Sequence, residues 1–210
     1  MIRVIVIERE YGCGGSEIAE KLATRLGWTL LDHALTEQIA RLAKVKPEVC
    51  KKREERVDPL VYRLAKVFWR GSHQRTVQFE DADAFDTDRL VCLSQQAVEH
   101  AAETGQCVIV GRGAPYFLRE RADTLTVFLF APRDYKLRRI LKDTKDAKEA
   151  EELVDAVDQD RVAFIKHYFG KDWPYRPFYD LMLNTAHGED LTIDTILHLM
   201  EALNQKEASP

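Results

Sequence analysis

The sequence predicts an α/β fold organised around a parallel sheet of five strands. Three observations support this class: short apolar runs alternate with helical patterns, the runs are continuous, and the first run leads into a glycine-rich turn. Continuous apolar runs are typical of strands that are buried on both faces of a parallel sheet. The predicted strands are 2–8, 28–31, 107–110, 124–130 and 179–183, and the predicted helices include 16–27, 34–45, 88–104 and 191–204.

The glycine-rich turn lies between the first strand and the first helix. Residues 4–7 read Val-Ile-Val-Ile, the turn reads Tyr-Gly-Cys-Gly-Gly-Ser, and apolar residues then recur at helical spacing. This layout is typical of a phosphate-binding loop, because glycines let backbone N–H groups converge on an anion and the helix N-terminus adds partial positive charge. Ser16 begins the helix and Gly27 suits its end. Cys13 lies at the helix N-terminus, a position that can lower a thiol pKa.

The segment after the second strand changes in character. The strand ends at Asp32 and His33, and a helix is predicted over 34–45. Residues 47–88 contain the charged run KKREER, Pro59 and the acidic run EDADAFDTD. We interpret this segment as an insert or a mobile cover rather than as part of the sheet. A solvated pair of helices explains the same composition.

The second half of the chain supplies three strands and the helices between them. The helix over 88–104 is predicted to end at Gly105, since glycine suits a helix C-terminus. The third strand is followed by Gly-Arg-Gly at 111–113, and the fourth by Arg133 and a further helix. Residues 146–169 are predicted to form one long charged helix or a pair of helices.

Composition restricts the classes of function. The 210 residues are 45% hydrophobic and 31% charged, and the net charge of −4 disfavours a general nucleic-acid-binding surface. No apolar run approaches the roughly 18 residues that a membrane span requires, and the chain enters its first strand without a signal-peptide pattern. The four cysteines lack the Cys/His spacing of a structural zinc site. A reduced, cytoplasmic protein without a nucleic-acid or membrane partner is expected, and no oligomeric state is predicted.

The residues that follow the strands predict where a ligand binds. In parallel sheets, ligands bind outside the carboxyl ends of the strands. This rule brings residues 9–16, Asp32, Gly111-Arg112 and Arg133 to one edge of the sheet. Because these residues are rich in glycine, arginine and aspartate, the sequence predicts a site for a phosphorylated ligand at that edge.

A series of motifs runs through nearly the whole chain, most weakly over 46–88. In order they are EREYGCGGSEIAEKLATRLGW, LLD, VIVGRGA, VFLFAPRDYKLRRI, DxxDxxR and YDLMLNT. This series resembles the cytidylate kinase-like family, which are P-loop relatives of nucleoside monophosphate kinases. The resemblance implies a P-loop NTPase three-layer sandwich over 1–210, with a helical acceptor-binding insert at about 33–88 and a lid at about 133–172. It also implies phosphoryl transfer from ATP, with Mg2+, to a small-molecule nucleotide, with CMP or dCMP as the acceptor.

The resemblance also implies roles for individual residues. The residues expected to hold ATP are Tyr11, Gly12, Cys13, Gly14, Gly15, Ser16 and Glu17, with Ser16 as the magnesium ligand. The residues expected to hold the acceptor are Asp32, Arg112, Asp158 and Arg161. Arg138 and Arg139 resemble arginines that contact phosphates from the lid, and Asp155, Asp158 and Arg161 match the DxxDxxR motif on the lid side. Two positions depart from the family pattern, because Gly113 replaces an aspartate after Arg112 and Val154 replaces an arginine in the lid motif.

The loop itself lacks the lysine of a standard P-loop. The pattern GxxxxGK[ST] calls for glycine where this chain has Arg9 and for lysine where it has Gly15. Phosphoryl transfer depends on positioning and on positive charge around the transferring group, and a guanidinium can bind two phosphate oxygens. We hypothesise that arginines supply the missing charge, with Arg9 as the first candidate and Arg138, Arg139 and Arg161 as the others.

Simpler roles remain open for several of these residues. Glu17 would favour the helix dipole from the first turn, and Asp32 would cap the helix that follows it. Arg112 would pair with a surface carboxylate. Asp158 and Arg161, three residues apart on a helix, would form an ordinary surface ion pair.

Two other functions also remain open. The missing lysine favours a regulatory protein that binds nucleotides with little or no phosphoryl transfer. The altered segment over 46–88 favours a kinase that acts on another small hydroxyl or phosphate compound, because its acidic run would repel a nucleotide phosphate.

Overall fold

The computed structural model describes residues 1–32, 87–144 and 146–208, and these contain the predicted five-stranded parallel sheet. The strands are β1 (Val4–Arg9), β2 (Thr29–Leu31), β3 (Cys107–Val110), β4 (Thr124–Phe130) and β5 (Leu181–Asn184). Their order is β2-β3-β1-β4-β5, and every neighbouring pair is parallel. Strand β1 is therefore central, and the loop after it opens at the middle of the carboxyl edge. The predicted helix over 34–45 and nearly all of the predicted insert lie outside the described residues.

The α-helices in the described part of the chain are α1 (Gly15–Leu26), α2 (Thr87–Thr104), α3 (Ala114–Phe117), α4 (Arg133–Thr144), α5 (Ala147–Phe169) and α6 (Glu189–Ala208). Helix α3 was not predicted, because a single turn is too short to show helical periodicity. Helix α5 is one helix rather than a pair. It begins after Asp146, whose carboxylate accepts the N–H groups of Lys148 and Glu149, and it ends at Gly170.

Helices cover both faces of the sheet. On one face, Ile5 and Ile7 of β1 pack against α1 and α6. On the other face, Val4 and Val6 pack against α2 and α3. Successive strand residues point to opposite faces, so a strand buried on both faces needs an unbroken apolar run. This arrangement confirms the predicted three-layer α/β sandwich.

Helices α4 and α5 span most of the predicted lid and pack against each other beside the glycine-rich loop. Ile140 of α4 and Ala150 and Val154 of α5 form a small buried core with Tyr11 of the loop beside it. Near the C-terminal end of α5, Phe164 belongs to one buried cluster with Tyr116 of α3. Helix α5 thus connects the glycine-rich loop to the helical layer that contains α3. Movement of α4 and α5 as a lid remains a prediction. Among the described helices, none is long and apolar enough to cross a membrane.

Candidate active site

The loop between β1 and α1 forms a glycine cradle made of Gly12, Gly14 and Gly15. Gly12 and Gly14 have φ angles of 79° and 84°, in the left-handed region that glycine adopts most readily. A Cβ atom would lie 2.8 Å from Cδ1 of Ile140 at Gly12, and 3.0 Å from Cζ of Arg139 at Gly14. Helix α4 therefore lies directly on the loop, and both the backbone and the available space require glycine at these two positions.

An open cavity of about 300 Å³ lies over the cradle. Its walls come from the loop, the first turn of α1 and the helices α4 and α5. The lining residues are Arg9, Glu10, Tyr11, Gly12, Gly14, Gly15, Ser16, Glu17, Arg139, Ile140, Lys142, Asp143 and Arg161. Backbone N–H groups at a helix N-terminus, together with arginines in the wall, make a suitable environment for a phosphate.

Ser16, which lines this cavity, forms a hydroxyl–carboxylate pair with Asp32. Ser16 Oγ donates a hydrogen bond to Asp32 Oδ2 over 2.9 Å, and both residues are buried. Because the hydrogen is directed to the carboxylate, the lone pairs of the hydroxyl oxygen remain available to a ligand. Mg2+ prefers oxygen ligands and usually takes only one or two from the protein beside substrate phosphates. The pair fits magnesium in that manner, although no cluster of three His, Cys, Asp or Glu in the described ranges could hold a metal.

Three arginines converge beside this pair. Arg9 Nη2 lies 3.9 Å from Asp32 Oδ1. Arg112 is only 4% exposed and has a φ of 61°, and the charges that act on it include those of Asp32, Arg9 and Arg161. Burial lowers the pKa of Arg112 to about 10, while Asp32 opposes this effect. Arg112 is thus a buried cation at neutral pH, not a surface residue.

Glu8 is a buried carboxylate next to these arginines that the sequence reasoning missed. It is 5% exposed, and its Oε1 accepts the N–H of Arg9 over 3.3 Å. Burial raises the pKa of Glu8, and the positive charges of Arg9 and Arg161 oppose that rise. A charged residue at the end of an otherwise apolar strand was the signal that could have identified it.

Asp158 joins α5 to the phosphate loop. Its Oδ1 accepts hydrogen bonds from the N–H of Tyr11 at 2.9 Å and from Arg161 Nη1 at 2.8 Å, and its Oδ2 accepts from Lys136 Nζ at 3.4 Å. Arg161 Nη1 also donates to the carbonyl of Arg9 at 2.8 Å. The ion pair of Asp158 with Arg161 therefore exists, but it belongs to a largely buried network rather than to the surface. Acceptor binding by Asp158 remains a prediction.

Lys136 is a second functional candidate that the sequence reasoning missed. It is 9% exposed, and its Nζ lies 2.9 Å from Glu10 Oε2 in addition to its contact with Asp158. Burial lowers the pKa of Lys136, but the hydrogen bond to Glu10 and the charge of Asp158 more than offset this, so that the pKa is raised. Lys136 precedes Arg139 by three residues on α4. That spacing places both side chains on the same face, and it was the available signal.

The structure separates the predicted arginines of α4. Arg139 lines the cavity, donates to Glu17 Oε1 over 2.8 Å, and lies 3.5 Å from Glu189 Oε1. Arg138 is exposed and does not line the cavity, so the structure does not bring it to the site. Arg133, predicted at the same edge, is also exposed. Glu17 does more than favour the helix dipole, because it holds Arg139 against the cradle.

Cys13 faces the core rather than the cavity, so its position at a helix N-terminus does not lower the pKa of its thiol. Its Sγ lies 3.6 Å from the carbonyl oxygen of Leu129, and the residue is 1% exposed. Burial raises the pKa of Cys13 to about 12. Desolvation of the thiolate thus outweighs the helix N-terminus. Cys13, predicted to hold ATP, is not among the residues that line the cavity.

We expect Cys13 to resist alkylation in the native protein at pH 8. The thiolate is the reactive form, and at four units below its pKa only about one thiol in 10,000 is ionised. Treatment with iodoacetamide followed by peptide mass spectrometry should modify the partly exposed Cys92 first. In denaturant the two cysteines should react at similar rates. Equally fast labelling of both in the native protein would contradict the buried position of Cys13.

The sheet order, the glycine cradle after the central strand and the helices packed on it define a P-loop kinase fold. The chain belongs to the cytidylate kinase-like family, whose sequence profile matches residues 4–187. Membership of this family supports nucleotide-dependent phosphoryl transfer as the chemistry of the site.

Several solved structures share the fold. An uncharacterized protein from Eubacterium ventriosum ATCC 27560 is 22% identical, with a TM-score of 0.66 over 96% of this chain and 99% of that chain. A shikimate kinase from Acinetobacter baumannii, in complex with shikimate, is 16% identical, with a TM-score of 0.54 over 96% and 94%. A gluconokinase from Sinorhizobium meliloti 1021 is 16% identical, with a TM-score of 0.55 over 99% and 98%. These identities establish the fold alone, and a search of curated proteins gave no match.

Proposed function

We propose that the protein transfers the γ-phosphoryl group of ATP to a nucleoside monophosphate, with CMP or dCMP as the acceptor, in the cytoplasm. The observation that carries this proposal is the meeting of a glycine cradle with three arginines, Arg9, Arg112 and Arg161, at one edge of the sheet. Two phosphorylated ligands that face each other bring several negative charges together. The guanidinium groups of these three arginines would offset that repulsion.

The transfer needs little covalent participation by the protein. An oxygen of the acceptor phosphate would form a bond to the γ-phosphorus, while the bond from that phosphorus to the β–γ bridging oxygen breaks and its electron pair leaves on ADP. Between fully ionised reactants this phosphoryl transfer neither consumes nor releases a proton, so it requires no general base. The work of the chain is to align the two ligands and to stabilise the charge between them.

Each part of the site has a place in this proposal. The cradle and Arg139 would hold the phosphates of ATP, and Ser16, oriented by Asp32, would be the magnesium ligand. Magnesium, when bound there, would neutralise part of the negative charge of the phosphates. Arg112 would bind the acceptor phosphate from its buried position. Helices α4 and α5 would exclude water, since a wet site would hydrolyse ATP.

One observation favours a second candidate, a kinase for a small hydroxyl compound. Transfer to a hydroxyl group releases a proton, and Glu8 is a buried carboxylate beside Arg9 whose pKa burial raises. A carboxylate of that kind suits a proton acceptor. The structures with the same fold include enzymes named as a shikimate kinase and a gluconokinase.

The acceptor assay decides between these candidates. We expect ADP to form when the protein is mixed with Mg2+, ATP and either CMP or dCMP, and not with UMP or AMP. Shikimate and gluconate extend the panel to hydroxyl acceptors. ADP formation only with a hydroxyl compound would replace the first candidate by the second. Binding of ATP without turnover on any acceptor would instead favour a regulatory nucleotide-binding protein.

A further inference from the structure

The two positions at which the loop departs from the standard P-loop pattern contact each other in space. Resting on the proposed function, we infer that the two departures compensate for each other, as a reciprocal exchange of the side chains at positions 9 and 15. Arg9 takes over the charge of the missing lysine, and Gly15 provides the space through which the side chain of Arg9 passes.

Steric contact between the two residues is the first support. A Cβ atom at Gly15 would lie 2.9 Å from both Cβ and Cγ of Arg9. Such distances are shorter than van der Waals contact, so any larger residue at position 15 would displace the stem of Arg9. The standard pattern has the opposite combination, with glycine at the position of Arg9 and the longer side chain of lysine at the position of Gly15.

The backbone at Gly15 is the second support. Gly12 and Gly14 have left-handed φ angles that favour glycine, whereas Gly15 is the first residue of α1 and is not among the residues with a positive φ. Most residues adopt helical backbone angles without strain. The conformation therefore does not explain the glycine at position 15, but the side chain of Arg9 does.

The position of the Arg9 guanidinium group also supports its role as a substitute for the lysine. Arg9 lines the cavity together with Gly15 and Ser16 and is 8% exposed. Its Nη1 abuts Gly111, and its Nη2 lies 3.9 Å from Asp32 Oδ1. The guanidinium thus lies between the cradle and the tip of β3, the position at which a charge can act on a phosphoryl group passing from one ligand to the other.

The partners of the neighbouring arginines are the fourth support. Arg139 and Arg161 each donate a hydrogen bond of 2.8 Å to a carboxylate. The contact of Arg9 with Asp32 is 3.9 Å, which is longer than a hydrogen bond. Meanwhile the carbonyl of Arg9 is held by Arg161, and its N–H by Glu8. The backbone of Arg9 is therefore anchored. Within the described residues, the contact of its guanidinium group with a carboxylate is the long one to Asp32, so the group can still donate hydrogen bonds to a phosphate.

Restoring the standard pattern tests the exchange. Three variants are compared with the wild-type protein: Arg9→Gly, Gly15→Lys, and the double variant that carries both changes and reads GxxxxGKS. Each is assayed for kcat/KM with Mg2+, ATP and CMP, and for the dissociation constant of β,γ-imido-ATP by calorimetry. Arg119→Gly, at an exposed arginine paired with Glu120, is the matched control for loss of an arginine.

We expect each single variant to lose about 100-fold or more in kcat/KM and to bind the analogue more weakly, as for loss of one preorganised donor. The double variant should recover to within about tenfold of wild type, because lysine then enters the space that Arg9 has left. Recovery of kcat/KM in the double variant is the decisive result, because it is expected even if the Gly15→Lys variant fails to fold. A double variant no better than Arg9→Gly would overturn the inference, and so would an Arg9→Gly variant that behaves like wild type.

The two readouts separate this inference from the proposed function. If the wild-type protein binds the analogue but turns over no acceptor, the proposed function fails. The dissociation constants of the three variants then still test whether Arg9 and Gly15 compensate for each other. If turnover of CMP is found but the double variant does not recover, the exchange fails and the proposed function stands. A wild-type protein that does not bind the analogue overturns both.

Discussion

Replacement of Asp158 by alanine is expected to lower the free energy of unfolding by about 3–5 kcal/mol, as is typical when one partner of a buried ion pair is removed. The carboxylate accepts hydrogen bonds from Tyr11, Lys136 and Arg161, and its side chain is only 17% exposed. Without it, two largely buried cations lose a counter-charge and one N–H of the loop loses its acceptor. Urea denaturation followed by circular dichroism measures this loss.

Asp155 is the matched control for that experiment. It lies one turn before Asp158 on the same helix and pairs with Arg133 at 2.9 Å, but both side chains are largely exposed. Exposed ion pairs contribute about 0–1 kcal/mol, so Asp155→Ala should unfold at nearly the same urea concentration as wild type. Equal destabilisation by both substitutions would mean that helix α5, not the network around Asp158, accounts for the loss.

The Asp158 network also explains why much of the site could not be predicted from the sequence. The DxxDxxR motif is visible in the sequence, and the family resemblance singled out Asp158, but the motif does not show which aspartate is buried. Only the packing of α5 against the loop turns Asp158 inward and leaves Asp155 in solvent. The same holds for Arg138 and Arg139, which are adjacent in the sequence but differ in whether they line the cavity.

The fold was predictable because its signals are local. Each strand of a sheet buried on both faces must be a continuous apolar run, and β3 and β4 begin and end at the predicted residues. Glycines mark the loop and the ends of α1 and α5 because a left-handed backbone favours them. Signals of this kind need no knowledge of what packs against them.

Burial was the information that the sequence lacked. The helix N-terminus suggested an activated Cys13, but the thiol lies in the core, where desolvation dominates. Lys136 was not singled out from the sequence pattern, yet it lies between Glu10 and Asp158. In both cases, residues that are distant in the sequence bury the side chain and thereby determine its chemistry.

The second large effect is expected at Ser16. Alanine at this position removes the hydroxyl that lines the cavity and deprives Asp32 Oδ2 of its 2.9 Å hydrogen bond. If Ser16 is the magnesium ligand, Ser16→Ala should lower kcat/KM by roughly 100-fold, in the range typical of residues that hold or orient a metal. The concentration of Mg2+ required for half-maximal activity should rise at the same time.

Ser16→Thr separates loss of the metal ligand from a disturbed loop. Threonine keeps the hydroxyl, and P-loops accept either residue at this position, so this variant should retain the Mg2+ requirement of wild type. Loss of the hydrogen bond to Asp32 alone is expected to reduce the free energy of unfolding by about 1–3 kcal/mol, which leaves the fold intact at low temperature. A Ser16→Ala protein that is less stable but needs no more Mg2+ than wild type would show that the hydroxyl only orients Asp32. A shifted Mg2+ requirement in Ser16→Ala, absent from Ser16→Thr, would assign the hydroxyl to the metal.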